Sequence, residues 1–182
     1  MTEPGDDVVE RARAGDSEAL GILFRAWSPR VAGYLRARGA EDPEELTSEV
    51  FLQVFRKLGT VHGGVRGLRT FVFSVAHARM VDDVRSRGRR PRPASYDEAH
   101  DTRVAPSAES EALDREAAQR AVDLLALLGE EQRAVIALRV IGQLSIEETA
   151  SALGKSSGAV KQLQRRGLVR LRTLMAATEV TR

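Results

Sequence analysis

Apolar positions in the first half of the chain recur at spacings of three and four. Leu20, Leu23, Phe24, Trp27, Val31 and Leu35 share one helical face, after Asp16 and Ser17, which read as an N-cap. Ser28 and Pro29 either start a new helix or kink this one, because proline suits a first turn but not a helix interior. Gly39 is a stop. Asp42-Pro43-Glu44-Glu45 is a strong start signal: a capping acid, proline at the first helical position, then acids at the positive end of the helix dipole. That helix is predicted to run to residue 57 or 58, with Leu46, Val50, Phe51, Val54, Phe55 and Leu58 inward. Residues 59–67, GTVHGGVRG, are too rich in glycine for a helix or strand and read as a loop. Residues 68–87 predict a long helix with Phe71, Val72, Val75, Met80, Val81 and Val84 facing a core.

The periodicity then stops. From residue 88 to 111 proline, glycine, serine and acids alternate with no repeat, which marks a linker and a domain boundary. Three or four helices follow, over 112–128, 130–141, 145–153 and 157–177. The predicted fold is all-α: two small helical domains, residues 1–90 and 112–178, joined by a flexible linker over 91–111.

Composition narrows the function more than the fold. The chain has 182 residues, 42% hydrophobic and 30% charged, which suits a soluble globular protein. No apolar run approaches the ~20 residues of a membrane span. The start, MTEPGDDVVERARAGD, lacks the apolar stretch of a signal peptide, so a cytoplasmic location is expected. There is no cysteine, which excludes disulfides, thiolate metal sites and a thiol nucleophile. His62, His77 and His100 are too scattered for metal-ligand spacing, and no cofactor is expected. The net charge of +2 hides a strong asymmetry. Five of the eight residues in 85–92 are arginine, and 155–172 holds six basic residues and no acid. Residues 96–116 carry seven acids against two arginines. Two basic patches separated by an acidic stretch suggest two places that meet phosphate backbone.

The second patch has the grammar of a helix-turn-helix. In LSIEETASALGKSSGAVKQLQRRGL, Ser145 and Glu148 form a capping box, and Ile146, Thr149, Ala150 and Leu153 keep core spacing. Gly154-Lys155-Ser156 is the turn, and Ser156 caps the next helix. There Val160, Leu163, Gly167, Leu171 and Leu174 form the inner stripe. Lys161, Gln162, Arg165 and Arg166 fall on the other face, where a recognition helix needs long donors. An amphipathic helix with a solvated basic face is the plainer alternative. The capping box, the glycine turn and the acid-free second helix favour DNA, with Lys155, Ser156 and Ser157 at its start as further contacts.

Taken together, three stretches resemble the sigma-70 family of RNA polymerase sigma factors, in its extracytoplasmic-function (group IV) subgroup, whose members keep only regions 2 and 4. EDPEELTSEVFLQVFRKL resembles region 2.2, and RTFVFSVAHARMVDDVRSRGRRP resembles regions 2.3 and 2.4. LLGEEQRAVIALRVIGQLSIEETASALGKSSGAVKQLQRRGLVRLR resembles region 4. Each is moderately degenerate alone, and their order and spacing strengthen the match. The resemblance implies a non-enzymatic factor that binds core polymerase, directs it to −35 and −10 promoter elements and promotes melting. Region 2.2 docks on the β′ coiled coil, which assigns Glu45, Leu46, Ser48, Glu49 and Leu52 to polymerase; the β flap is a further expected contact. Regions 2.3 and 2.4 take the opened −10 strand, which assigns His62, Gly63, Arg66, Phe71, Phe73, His77, Arg79, Arg85, Arg87, Arg89 and Arg90. Rings beside arginines suit unpaired bases and phosphates, although Phe71 also fits a core position. Region 4 would read duplex −35 DNA. An anti-sigma protein is a candidate partner, and association with the nucleoid would follow through polymerase.

The sequence departs from the family in places. Phe71 stands where tryptophan is usual, Ala78 where asparagine is common, Ser48 where glutamine is usual and Ala159 where threonine is usual. Two other classes compete with this reading. One is a helix-turn-helix regulator with a helical sensor domain that does not load polymerase. The other is an enzyme acting on nucleic acid, for which the sequence offers no phosphate loop, nucleophile–base pair or metal cluster.

Overall fold

The computed structural model describes residues 3–89 and 108–180, with side chains described for 3–87 and 116–177. Among these residues every regular element is helical. In order they are α1 (Asp6–Arg13), α2 (Ser17–Ala37), α3 (Pro43–Lys57), a 3₁₀ turn (Leu58–Thr60), α4 (Gly64–Arg89), α5 (Ala108–Ala126), α6 (Glu130–Val140), α7 (Ile146–Leu153) and α8 (Ser157–Val180). The first four form an N-terminal unit and the last four a C-terminal unit. Most of the linker expected over 91–111 lies outside the described residues, but its last four positions already belong to α5.

Capping explains most of the boundaries. The Asp16 carboxylate accepts the Glu18 and Ala19 amides at the start of α2, and Asp42 accepts the Glu45 amide at the start of α3. Pro29 sits inside α2 without ending it. A proline there costs about 3 kcal/mol in an isolated helix. Trp27, Val31, Tyr34 and Leu35 are buried on either side of it, and their packing outweighs that loss.

Two elements differ from the pattern. α1 is unexpected, because two turns are too short for periodicity to register. It closes the core with Val9 and Ala12 and carries Asp6 and Asp7 in its first turn and Arg11 and Arg13 in its last. The expected loop over 59–67 is shorter than its glycines suggest. Part is a 3₁₀ turn, and α4 begins at Gly64. α1 supplies what the sequence conceals: the Asp6 carboxylate accepts the Val65 amide at 2.6 Å, capping α4 from 59 residues away, and Arg13 donates to the Val61 carbonyl.

The helix-turn-helix forms as its residues dictate. Ser145 and Glu148 close a reciprocal capping box, and Gly154 takes the left-handed conformation (φ 61°) that ends α7. Ser156 then accepts the Ala159 amide to start α8. A small core of Val135, Ala150 and Val160 holds α6, α7 and α8 together. The larger core is shared. Ala137, Leu138, Leu144 and Ala152 of the C-terminal unit pack in one continuous cluster with the buried residues of α1–α4.

Candidate nucleic-acid and polymerase interfaces

α8 presents the expected recognition face. Lys161, Gln162, Arg165 and Arg166 are exposed, while Val160 and Gly167 are buried. A shallow groove along α8 is lined by Lys161, Gln164, Arg165, Leu168, Val169 and Arg172. Cations alternate there with apolar atoms, which suits phosphates beside base edges and thymine methyls. At the turn Ser156 is occupied as a cap, Ser157 is half-buried, and Lys155 pairs with Glu131 of α6. Four of the seven expected −35 residues therefore point outward together.

α3 divides cleanly between core and surface. Thr47, Val50, Phe51 and Val54 are buried, while Glu45, Ser48 and Leu52 are exposed, Leu52 by 59%. Leu46 is half-buried and Glu49 partly exposed. Leu52 stands between the acids of the first turns of α3 and Arg56 and Lys57 of its last, an exposed apolar anchor of the kind a helical partner uses. Beside it lies a groove lined by Glu49, Leu52, Gln53, Arg56, Lys57 and Arg79.

The expected −10 set is split among several directions. Residues two apart on a helix lie roughly 200° apart, so Phe71 and Phe73 cannot share a face. Phe71 is half-buried and lines a cleft with His62, Gly67, Thr70 and Ser74. Phe73 is fully buried, edge-on to Tyr34 with ring centroids 6.0 Å apart, so as placed it is a core residue rather than a stacking platform. His77, one turn on, shares that inward face and meets the Tyr34 hydroxyl through Nδ1 at 3.0 Å. Arg79 turns toward α3, donating to Gln53 at 3.1 Å and lying 3.7 Å from Glu49. It belongs to the groove beside Leu52. Arg66 is largely exposed but lies 3.4 Å from Glu148 of α7. Gly63 and Arg85 are exposed, and Arg87 pairs with Asp83 at 2.8 Å. The side chain of Arg89 and all of Arg90 lie outside the described residues. The glycines of this segment let the chain approach itself closely. At Gly67 a Cβ would sit 1.9 Å from the His62 carbonyl oxygen.

Burial and the nearby Arg38 guanidinium lower the His77 pKa from 6.5 to about 4, so the ring is neutral near pH 7 and brings no charge to a phosphate. Burial pushes the Tyr34 phenol up. A histidine buried neutral binds protons more readily when unfolded. Its contribution is complete above about pH 6.5 and is lost as pH falls toward 4. Thermal unfolding across that window is expected to show a declining midpoint, and His77→Gln should flatten the decline. An equal slope in both proteins would remove His77 as its source.

Two residues absent from the expected set complete the region. Arg69, 14% exposed, donates to Glu3 at 2.9 Å and lies 3.4 Å from Glu148. Burial pushes the Glu148 carboxyl up, but the Ser145 amide and the Arg69 and Arg66 guanidiniums outweigh it and hold the carboxyl below its ordinary value. The capping box does reveal Glu148 in the sequence, but only its local role.

A capped helix-turn-helix with an exposed basic face, joined to a second helical unit that exposes a leucine on α3, is the build of a two-unit DNA-binding protein. Known proteins agree. The Sigma-70 region 2 model matches residues 23–90, and the Sigma-70 region 4 model matches residues 124–173. The ECF RNA polymerase sigma factor SigD of Mycobacterium tuberculosis is 33% identical over 94% of this chain and 84% of its own length. The ECF RNA polymerase sigma factor BldN of Streptomyces coelicolor is 31% identical over 93% of this chain; the match spans 65% of its own length. The structure of CnrH in complex with the cytosolic domain of CnrY shares the fold, with a TM-score of 0.70 at 22% identity over 95% of this chain and 97% of that one. The chain belongs to the sigma-70 family, among the extracytoplasmic-function sigma factors. No helix among the described residues is long and apolar enough to cross a membrane.

Proposed function

We propose that this chain binds core RNA polymerase through the exposed edge of α3, reads duplex −35 DNA with α8, and takes the opened −10 strand along the His62–Phe71 side of α4. One conjunction carries the reading. A capped helix-turn-helix with an outward basic face shares the chain with an α3 that exposes Leu52 between the acids of its first turns and Arg56 and Lys57 of its last. A regulator with a sensor domain needs the first feature but not the second. On this reading β′ is the helical partner of α3, the β flap meets the C-terminal unit, and an anti-sigma protein is a further partner. The test is a pull-down with purified core polymerase, followed by run-off transcription on genomic fragments. Specific transcripts that depend on the added chain are expected; DNA binding without any hold on polymerase would favour the regulator.

Readout and phosphate attraction separate by mutation. If Arg166 grips a guanine edge with both guanidinium arms, Arg166→Ala costs about 1–3 kcal/mol and relaxes preference at one −35 base. Arg85→Ala should weaken binding on every promoter and reduce the salt dependence by about one unit of slope. Single-base promoter variants at two salt concentrations distinguish them. Equal losses on every variant for Arg166→Ala would make it a phosphate clamp and shift the reader to Lys161, Gln162 or Arg165.

A further inference from the structure

Asp6 and Arg13 are the first and last residues of α1, and both reach the segment that leads into α4. The Asp6 carboxylate accepts the Val65 amide at 2.6 Å, and Arg13 donates to the Val61 carbonyl. Between those two backbone groups lie His62, Gly63 and Gly64, and both glycines take positive φ, 88° and 59°. Glycine enters that region freely but prefers no single conformation, so such a segment does not hold its own shape. Asp6 also stands so near that a Cβ on Gly64 would collide with its carboxylate. α1 is itself seated in the core through Val9 and Ala12, which are buried. The two ties therefore fix the segment to a rigid element.

Neither Asp6 nor Arg13 lines the cleft that holds His62, Gly67 and Phe71. Asp6 is, moreover, an exposed acid on the approach to Arg66 and the start of α4. By charge alone an acid there opposes the binding of phosphates. What it offers instead is a charge-assisted hydrogen bond to a backbone amide at the positive end of α4, roughly twice as strong as a neutral one. Its sign is wrong for touching DNA and right for holding the loop.

We propose that Asp6 and Arg13 are positioning residues for the −10 strand: without touching DNA, they set the 62–64 segment so that His62, Arg66 and Phe71 are presented in one arrangement. This rests on the −10 assignment above. α1 then serves recognition through the loop it holds, and the freedom of the two glycines is removed before the strand arrives.

The test uses the full chain on core polymerase. Its probes are a fluorescein-labelled single strand from the −10 region of a promoter mapped by run-off transcription, and the matching −35 duplex. Asp6→Ala removes charge and acceptor, Asp6→Asn keeps an acceptor oxygen without the charge, and Arg13→Met keeps an apolar stem without the donor. Asp6→Ala and Arg13→Met should each bind the strand about tenfold more weakly, the loss expected if the loop is correctly placed about one-tenth of the time. Duplex binding and competition for core should not change. Asp6→Asn should bind the strand at least as tightly as the unaltered chain. In the free protein, hydrogen exchange at the Val65 amide should quicken about tenfold in Asp6→Ala while amides within α3 keep their rates. Circular dichroism checks folding, and Arg13→Met carries the test if Asp6→Ala misfolds. Tighter strand binding by Asp6→Ala would show that only its charge matters, and unchanged binding would detach α1 from the loop; either overturns the proposal. So would equal losses on strand and duplex, which mark general destabilisation. The double variant Arg66→Ala, Phe71→Ala separates the two readings. If it keeps strand binding, the −10 assignment itself fails; if it loses binding while Asp6→Ala and Arg13→Met keep it, only the positioning role fails.

Discussion

Phe73→Ala should lower the stability of the chain by about 3–5 kcal/mol, the range for deleting a fully buried aromatic ring. The ring is packed against Tyr34 on one side and Gly142 on the other, so its loss opens a cavity that reaches both units. Urea unfolding followed by circular dichroism measures the change. Phe71→Ala provides the contrast. Its ring is half-buried at the cleft, so its removal should cost less stability and should weaken capture of single-stranded −10 DNA by polymerase carrying the variant. If Phe73→Ala left stability intact but abolished −10 capture, the two rings would have exchanged roles and the inward packing of Phe73 would not describe the working state.

The second large effect concerns polymerase. Combining Glu45→Lys with Leu52→Glu should weaken competition for core polymerase by tenfold or more, about 1.4 kcal/mol at least. The pair reverses an exposed charge and removes the most prominent apolar anchor on α3. Neither side chain belongs to the buried face formed by Thr47, Val50, Phe51 and Val54. The Asp42 cap binds the Glu45 backbone amide, which the substitution retains. Helical content should therefore stay constant. Glu49 is a poorer choice for this test, because its proximity to Arg79 would mix loss of a partner contact with release of a cation. Undiminished competition by the double variant would move the polymerase surface off α3.

The parts of the fold legible in the sequence are those decided by neighbours a few residues away. Asp42-Pro43, the Ser145–Glu148 capping box and the Gly154 turn each satisfy orphan backbone groups locally, and each appears where the pattern puts it. What the sequence conceals depends on distant partners. α1 exists because Val9 and Ala12 complete a core and Asp6 reaches Val65. α2 passes through Pro29 because Trp27 and Val31 are buried on either side of it.

The candidate site divides in the same way. The outward face of α8 follows from helical spacing alone, since Val160 fixes which side is inward. For the residues proposed to take the −10 strand, spacing alone does not tell inward from outward. Spacing on α4 does separate Phe71 from Phe73, yet nothing local says which of the two faces a core. That depends on Tyr34 and on the approach of Gly142, more than thirty residues away on either side. Arg69 is not legible locally, because its partners Glu3 and Glu148 lie 66 and 79 residues away in the sequence.

The bond from Asp6 to Val65 also bears on the order in which the molecule is assembled. The contacts that define the first unit, including this one, lie within the first 89 residues. During synthesis that unit can close while α5 to α8 are still being made, because domains generally fold as units from the N-terminus. Gly33, Tyr34 and Phe73 would then wait with one apolar side uncovered until α6 arrives. Stalling translation between α4 and α6 would lengthen that interval. Chains arrested there should be more prone to aggregate than chains arrested after α6, a difference set by the uncovered face and not by any instability of the finished protein.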